Sequence, residues 1–303
     1  MPDAISSEFL IFWWTVFGLF VGSFLNVAIY RLPLEGESVG KPRRSRCPKC
    51  KTTLSWFENI PVLSWALQRG RCRHCKVRVS IRYPLVELLT AGLWFLAARE
   101  APHEPFLVGI WVLVLSGLVV ATFVDFDYFE IPDEISIGGC WIAPLAALLV
   151  PKLHAGTHIS ELFAGGGPVD AVASLVGCLG GMATGWGILW AIGWIGTKAY
   201  GTEAMGFGDV KLMAAGGGFI GPEGVLYALM IAAFAGSIVG VLNILRWLIV
   251  TRRRAAVRGR RDPWARSLRI ARFVGRYIPF GPYLALGIGI LLLYRDHVGL
   301  VWF

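Results

Sequence analysis

The sequence predicts an all-α polytopic membrane protein of about eight transmembrane helices with a small cytoplasmic zinc-ribbon-like module, and three observations predict it. The 303 residues are 55% hydrophobic and 16% charged, with a mean hydropathy of +0.60, whereas soluble domains carry about 25% charged residues. Apolar runs long enough to cross about 30 Å of hydrocarbon recur along the chain. Four cysteines fall as two CxxC pairs inside the basic segment 31–83.

Taken in order, the spans fall near 9–29, 85–99, 106–124, 135–151, 170–196, 209–221, 223–247 and 279–294. Asp3 and Glu8 precede the first, with no Lys or Arg. It lacks the basic start of a cleavable signal and is expected to remain as an anchor. The second, sixth and eighth are short for a bilayer, and the sixth is rich in glycine (AAGGGFIG, 214–221). The chain divides into a first transmembrane helix (1–30), a cytoplasmic cysteine module (31–83) and a transmembrane domain (84–303) with a basic loop near 250–276. No internal repeat stands out.

Loop charge sets the expected orientation. Segment 31–83 holds thirteen Lys and Arg against Glu35, Glu37 and Glu58, and 246–276 holds Asp262 as its only acid. Segment 100–105 (EAPHEP) has no Lys or Arg, and 152–168 has only Lys152. Positive loops stay in the cytoplasm, which puts the loops after the third and fifth spans there too. The net charge of +9 therefore reads as loop charge facing anionic membrane lipid, and nucleic acid is not expected as a partner.

In the module, Cys47 and Cys50 (CPKC) are separated by twenty-one residues from Cys72 and Cys75 (CRHC). Two such pairs can bring four thiolates into a tetrahedron that suits zinc and leaves no open position, so the expected metal is structural. A reducing cytosol disfavours disulfides; a redox pair or regulatory thiol is the alternative. His74 is not needed as a ligand. Cys140 and Cys178, inside apolar runs, read as buried small hydrophobes.

Two stretches place carboxylates at the expected cytoplasmic boundary: ATFVDFDYFEIPDEISI (121–137) and GFGDVK (206–211). Ionisable groups there are expensive and are functional candidates by default. Asp133, after Pro132, equally reads as a helix cap. Asp125 and Asp209 are the candidates for a two-carboxylate site. Two carboxylates a few ångströms apart cannot both ionise, so the pair shares one proton and offers a base and an acid in one place. HExxH and GxSxG are both absent, so zincin and serine-hydrolase schemes lack their parts. A proton-coupled transporter using the same aspartates, or a membrane scaffold, remains open at this point.

At these residues the sequence resembles the bifunctional type IV prepilin peptidase family. The likeness is carried by GSFLNVAIYRLP (22–33), WFENIPVLSW (56–65), SIRYPLVELLT (80–90), the spacing from Asp125 to Pro132-Asp133, and the GxGD motif of Gly206 to Asp209. It implies an aspartic protease of the GxGD type in the bacterial inner membrane, with Asp125 and Asp209 catalytic at the cytoplasmic face. It also implies cleavage after a glycine in the short basic leader of a prepilin or type II secretion pseudopilin. The new N-terminus is then methylated with S-adenosylmethionine. On that resemblance, Glu58, Asn59, Gly70 and Arg71 are the candidates for the cofactor site, although Glu58 also reads as a loop cap or salt-bridging residue. A GxGD protease without methylation is the neighbouring alternative. Two departures stand out. Gly70-Arg71 replaces a typical Gly-Lys pair, keeping the charge but not a compact ammonium. Segment 152–168 is longer than the resemblance leads one to expect.

Overall fold

The computed structural model describes residues 2–34, 39–40, 45–47, 49–257 and 278–299. Most of the basic loop expected near 250–276 lies outside the described residues. Each apolar run forms a helix, since backbone polar groups in hydrocarbon must be satisfied within the segment. The helices are α1 (Pro2–Arg31), α2 (Leu63–Leu67), α3 (Arg82–Glu100), α4 (Pro105–Tyr128), α5 (Asp133–Leu149), α6 (His158–Phe163), α7 (Ala171–Tyr200), α8 (Phe207–Val257) and α9 (Gly281–Gly299). Four stretches, Ser7–Arg31, Pro105–Tyr128, Ala171–Tyr200 and Phe207–Arg253, are long and apolar enough to cross a membrane; Gly281–Tyr294 is apolar but shorter.

The sixth and seventh expected spans are two arms of α8, broken at Gly221 (φ 76, ψ 174). Pro222 explains the break. Proline disfavours the helical region for the residue before it, and it carries no N–H for the carbonyl four residues back. That carbonyl is Gly218 O, and it is met from elsewhere. The imidazole Nε2 of His154, fully buried, lies 3.1 Å from Gly218 O, and Nδ1 lies 2.9 Å from Ser174 Oγ. The Thr157 hydroxyl sits 2.8 Å from both His154 O and Ser160 Oγ. The extra length of 152–168 thus folds into a polar plug that completes the turn proline opened.

The first arm (207–220) is about 21 Å long at 1.5 Å per residue. It is held by direct backbone contact with α7. A Cβ on Gly181 would run into the carbonyl of Gly217, one on Gly217 into that of Gly181, and one on Gly185 into that of Met213. Small residues four apart let membrane helices approach this closely, and α7 with α8 is the most extensive helix pair in the fold. The same device joins α1 to α3, where a Cβ on Gly22 would lie 2.7 Å from Glu87 Cα. Between α4, α8 and α9 the core is filled by the fully buried Leu115, Leu212, Met213, Leu284 and Ile288.

Candidate active site

Asp125 ends α4. Phe129 follows in the left-handed conformation (φ 57), its N–H closing on Asp125 O, and the helix stops there. The Asp125 side chain is buried, at 5% exposure. Its Oδ2 accepts a hydrogen bond of 2.9 Å from the backbone N–H of Gly281, the first residue of α9. Free amides and the positive end of the dipole at a helix N-terminus suit a carboxylate.

Asp209 lies in the first turn of α8, its N–H donating to Gly206 O. A Cβ on Gly206 would come within 3.7 Å of Asp209 Oδ2, so the carboxylate folds back over the GxGD loop. It takes no hydrogen bond among the described residues. Ile131 links the two acids in space: a Cβ on Gly208 would meet its Cβ at 3.3 Å, and one on Gly281 its Cδ1 at 3.0 Å. Both acids therefore sit at one end of the bundle, beside the two glycines that pack on Ile131.

The neighbouring aspartates are occupied. Asp127 pairs with Arg82 at 2.5 Å, and the same guanidinium donates to Phe123 O and stacks on the Phe123 ring. Asp133 accepts from the Lys211 ammonium, tying α5 to the first arm of α8 two residues past Asp209. It stands in the first turn of α5, where an acid suits the helix start, and the tertiary fold adds the ion pair.

The cysteine module is built from the two expected CxxC knuckles, and their backbone hydrogen bonds match. Cys47 N–H donates to Thr52 O and Cys72 N–H to Val77 O; Lys51 N–H and Lys76 N–H return to Cys47 O and Cys72 O. Lys51 and Lys76 both adopt φ 58. CPKCK and CRHCK were the visible signal. All four Sγ atoms lie within 4.8 Å of one another, with Cys47 and Cys75 at 3.8 Å. A tetrahedron with metal–sulfur distances of about 2.3 Å has edges of about 3.8 Å, so the residues fit zinc. Hydrogen bonds with Thr52 bring the Cys50 thiol down to about 6, while burial and the neighbouring thiols push Cys75 up to about 11, so without a metal the cluster shares protons among its sulfurs.

Beside the knuckles, a cavity of 620 Å³ is lined by Glu58, Gln68, Arg69, Arg71, Arg73 and Lys76 among others, within the size range of cofactor pockets. Glu58, 6% exposed, closes a capping box with Ser55, its Oε2 accepting from Ser55 N–H at 2.8 Å. That hydrogen bond, working against burial, holds its pKa below the usual carboxylate range, with help from His74 and Arg73. The other oxygen, Oε1, is buried without a hydrogen bond and lies 3.4 Å from His74 Nε2. The cap reading of Glu58 holds for one oxygen and the salt-bridging reading, toward His74, for the other.

Two other cofactor candidates are placed differently. Asn59 is exposed and does not line the cavity. Gly70 is buried behind it, at φ 65, with Trp65 packed so that a Cβ would lie 2.9 Å from the indole. Its role here is backbone conformation and close packing. Arg71 does line the cavity. The module is pinned to the bundle at Val62, whose φ of 60 closes a tight γ-turn (Leu63 N–H to Pro61 O). Its N–H donates to Glu87 Oε2 on α3 at 2.6 Å.

Sequence reasoning missed Gly281. The signal was a glycine between Phe280 and Pro282 at the entrance of the last apolar run.

Comparison with known proteins follows the same division of the chain. Residues 16–101 match the bacterial peptidase A24 N-terminal domain, and residues 112–241 match the type IV leader peptidase family. The chain is 41% identical over 245 residues to a prepilin leader peptidase/N-methyltransferase of Myxococcus xanthus, covering 81% of this chain and 66% of that protein. It is 33% identical to the protein of that name from Aeromonas hydrophila, over 93% of this chain and 90% of the relative. A type 4 prepilin-like proteins leader peptide-processing enzyme of Escherichia coli is 32% identical over 92% of each. No solved structure matches the chain.

Proposed function

Since the chain belongs to the type IV leader peptidase family, we propose that it removes the leader peptide of type IV prepilins or type II secretion pseudopilins and then N-methylates the new terminus. In this reading it is a bacterial inner-membrane protein of eight spans, with its active site toward the cytoplasm.

One observation carries the catalytic part. Of four aspartates at this end of the bundle, Asp127 and Asp133 are held in ion pairs, while Asp125 and Asp209 have no ion-pair partner among the described residues. The unionised member of the pair donates a proton and the ionised member accepts one. The ionised carboxylate takes a proton from water as the oxygen attacks the scissile carbonyl. The protonated one delivers its proton to the leaving nitrogen. The Gly281 N–H stabilises the ionised form of Asp125 in particular, which favours Asp125 as the base and Asp209 as the acid. A basic leader holds to the anionic inner leaflet while the apolar helix enters the bilayer, so the bond to be cut lies at the depth of both acids.

For methyl transfer, S-adenosylmethionine supplies an electrophilic methyl group when bound. The residues of the cavity suit its charges. Arg69, Arg71 and Arg73 offer donors to a carboxylate, and Glu58 Oε1 offers a buried acceptor to an ammonium or sulfonium. Positioning of the amine against the methyl group supplies much of the rate. Cys47, Cys50, Cys72 and Cys75 would hold a structural Zn2+ that keeps these walls in place.

The test is cleavage and methylation of a purified prepilin by the wild type, Asp125→Asn and Asp209→Asn, with product mass reporting both reactions. Loss of cleavage in each variant is expected. Intact cleavage in either refutes the aspartate assignment, and a product lacking the added methyl leaves a peptidase alone.

A further inference from the structure

We propose that the apolar helix of the substrate seats in a groove between α1, α4, α5 and the first arm of α8, with Glu134 at its mouth. The proposal rests on the functional reading above and gives that substrate its place. The groove has a volume of 380 Å³; among the described residues, Glu134 and Ser116 are the only polar side chains in its wall. Its wall runs from Phe24 on α1 to Leu32 just past its end, and from Glu134 to Ile142 on α5, each about 12 Å at 1.5 Å per residue, enough for about two helical turns.

Helical register ties the groove to both acids. On the first arm of α8 its wall includes Leu212, Gly216 and Phe219, which are three, seven and ten residues after Asp209 and share its face. On α4 its wall includes Val114 and Leu118, eleven and seven residues before Asp125 and on its face, and extends through Gly117 to Leu113, Ser116 and Val120 on the adjoining face. A helix lying in the groove therefore leaves it where both carboxylates stand.

A lipid chain would fit the apolar wall equally well, and charge decides against it. Residues 125–134 carry five acids and no Lys or Arg. Asp127 and Asp133 are paired, but Glu130 and Glu134 are exposed and have no ion pair among the described residues. Acids at the mouth repel an anionic headgroup and attract the basic leader that precedes a prepilin's apolar helix.

The test uses full-length enzyme and prepilin in liposomes. A photo-crosslinking residue replaces Leu113 or Ile142 in the groove, or Trp190 on α7 outside it, each in the Asp209→Asn background so that substrate persists. Crosslinks from Leu113 and Ile142 to the first turns of the prepilin helix are expected, with none from Trp190. In the active enzyme, Gly117→Phe fills the groove. A Cβ there meets only Ile135, at 3.5 Å, so the site accepts a side chain. KM for prepilin should rise at least about tenfold, and Glu134→Lys should lower kcat/KM in a way that salt reduces. Crosslinks from the groove to lipid alone, or an unchanged KM in Gly117→Phe, overturn the proposal while wild-type cleavage stands. Failure of the wild type to cleave prepilin overturns the functional reading and this seat with it.

Discussion

The backbone N–H of Gly281 holds Oδ2 of Asp125 at 2.9 Å, and a Cβ at residue 281 would stand 2.6 Å from that same oxygen. One glycine thus does two things. It offers a helix N-terminal donor to a buried carboxylate, and it leaves the space that carboxylate occupies. Gly281→Ala is expected to push Asp125 aside and cut cleavage by about 10- to 100-fold, since a shift of about 1 Å can cost two orders of magnitude. Steady-state cleavage beside a thermal melt checks it; full activity with normal stability removes the role.

The four aspartates at this end should separate cleanly. Asp125→Asn and Asp209→Asn are expected to lower cleavage by more than about 100-fold. Asp127→Asn and Asp133→Asn break exposed ion pairs with Arg82 and Lys211, which are worth about 0–1 kcal/mol, and should stay within about tenfold of wild type. Rates on one prepilin substrate decide the ranking.

Metal removal should act on the module before the bundle. Cys72→Ser, or treatment with a strong chelator, takes one corner or the centre from the Cys47, Cys50, Cys72 and Cys75 cluster. Methylation is expected to fall at least as far as cleavage. Metal content measured alongside both reactions tests this, and full methylation with no bound metal would refute it.

Gly70 provides a separate test of the cavity wall. Gly70→Ala forces a Cβ into the left-handed region, at about 1–2 kcal/mol, and into contact with Trp65. Methylation should drop more than cleavage, and Trp65→Leu in the same chain should recover part of it. Equal loss of both reactions would mean that the module braces the peptidase as well.

At the far end of the bundle, His154→Leu leaves the Gly218 carbonyl, already without a partner from Pro222, buried and unsatisfied. A cost of about 1–3 kcal/mol is expected, read as a lower melting temperature with cleavage retained in the cold. An unchanged melt would show that the plug is dispensable.

Composition, charge and short motifs determined the class of this protein. Hydrophobic runs predict helices because a lipid-embedded backbone has few other options, and a helix lies over each expected span, although α1 begins at Pro2 rather than 9, α8 runs on to Val257 rather than 247, and the short α2 and α6 were not foreseen. The two CxxC pairs predicted their own meeting, since four thiolates within one short segment have little else to do. The GxGD loop and the acid that follows an apolar run marked Asp209 and Asp125 as unusual. What remained was relational, and only the tertiary structure decided it. Asp127 and Asp133 were set apart from Asp125 and Asp209 by cations 45 and 78 residues away. Gly281 reaches Asp125 across 156 residues, and His154 reaches Gly218 across 64. Gly70 and Asn59 were cofactor candidates on the family resemblance; the fold puts Gly70 in a left-handed turn against Trp65 and leaves Asn59 exposed. A single chain records which groups exist and how costly each is to bury. Which distant group relieves that cost depends on how the helices pack, and the packing here is set by glycine stripes whose partners the local sequence does not name.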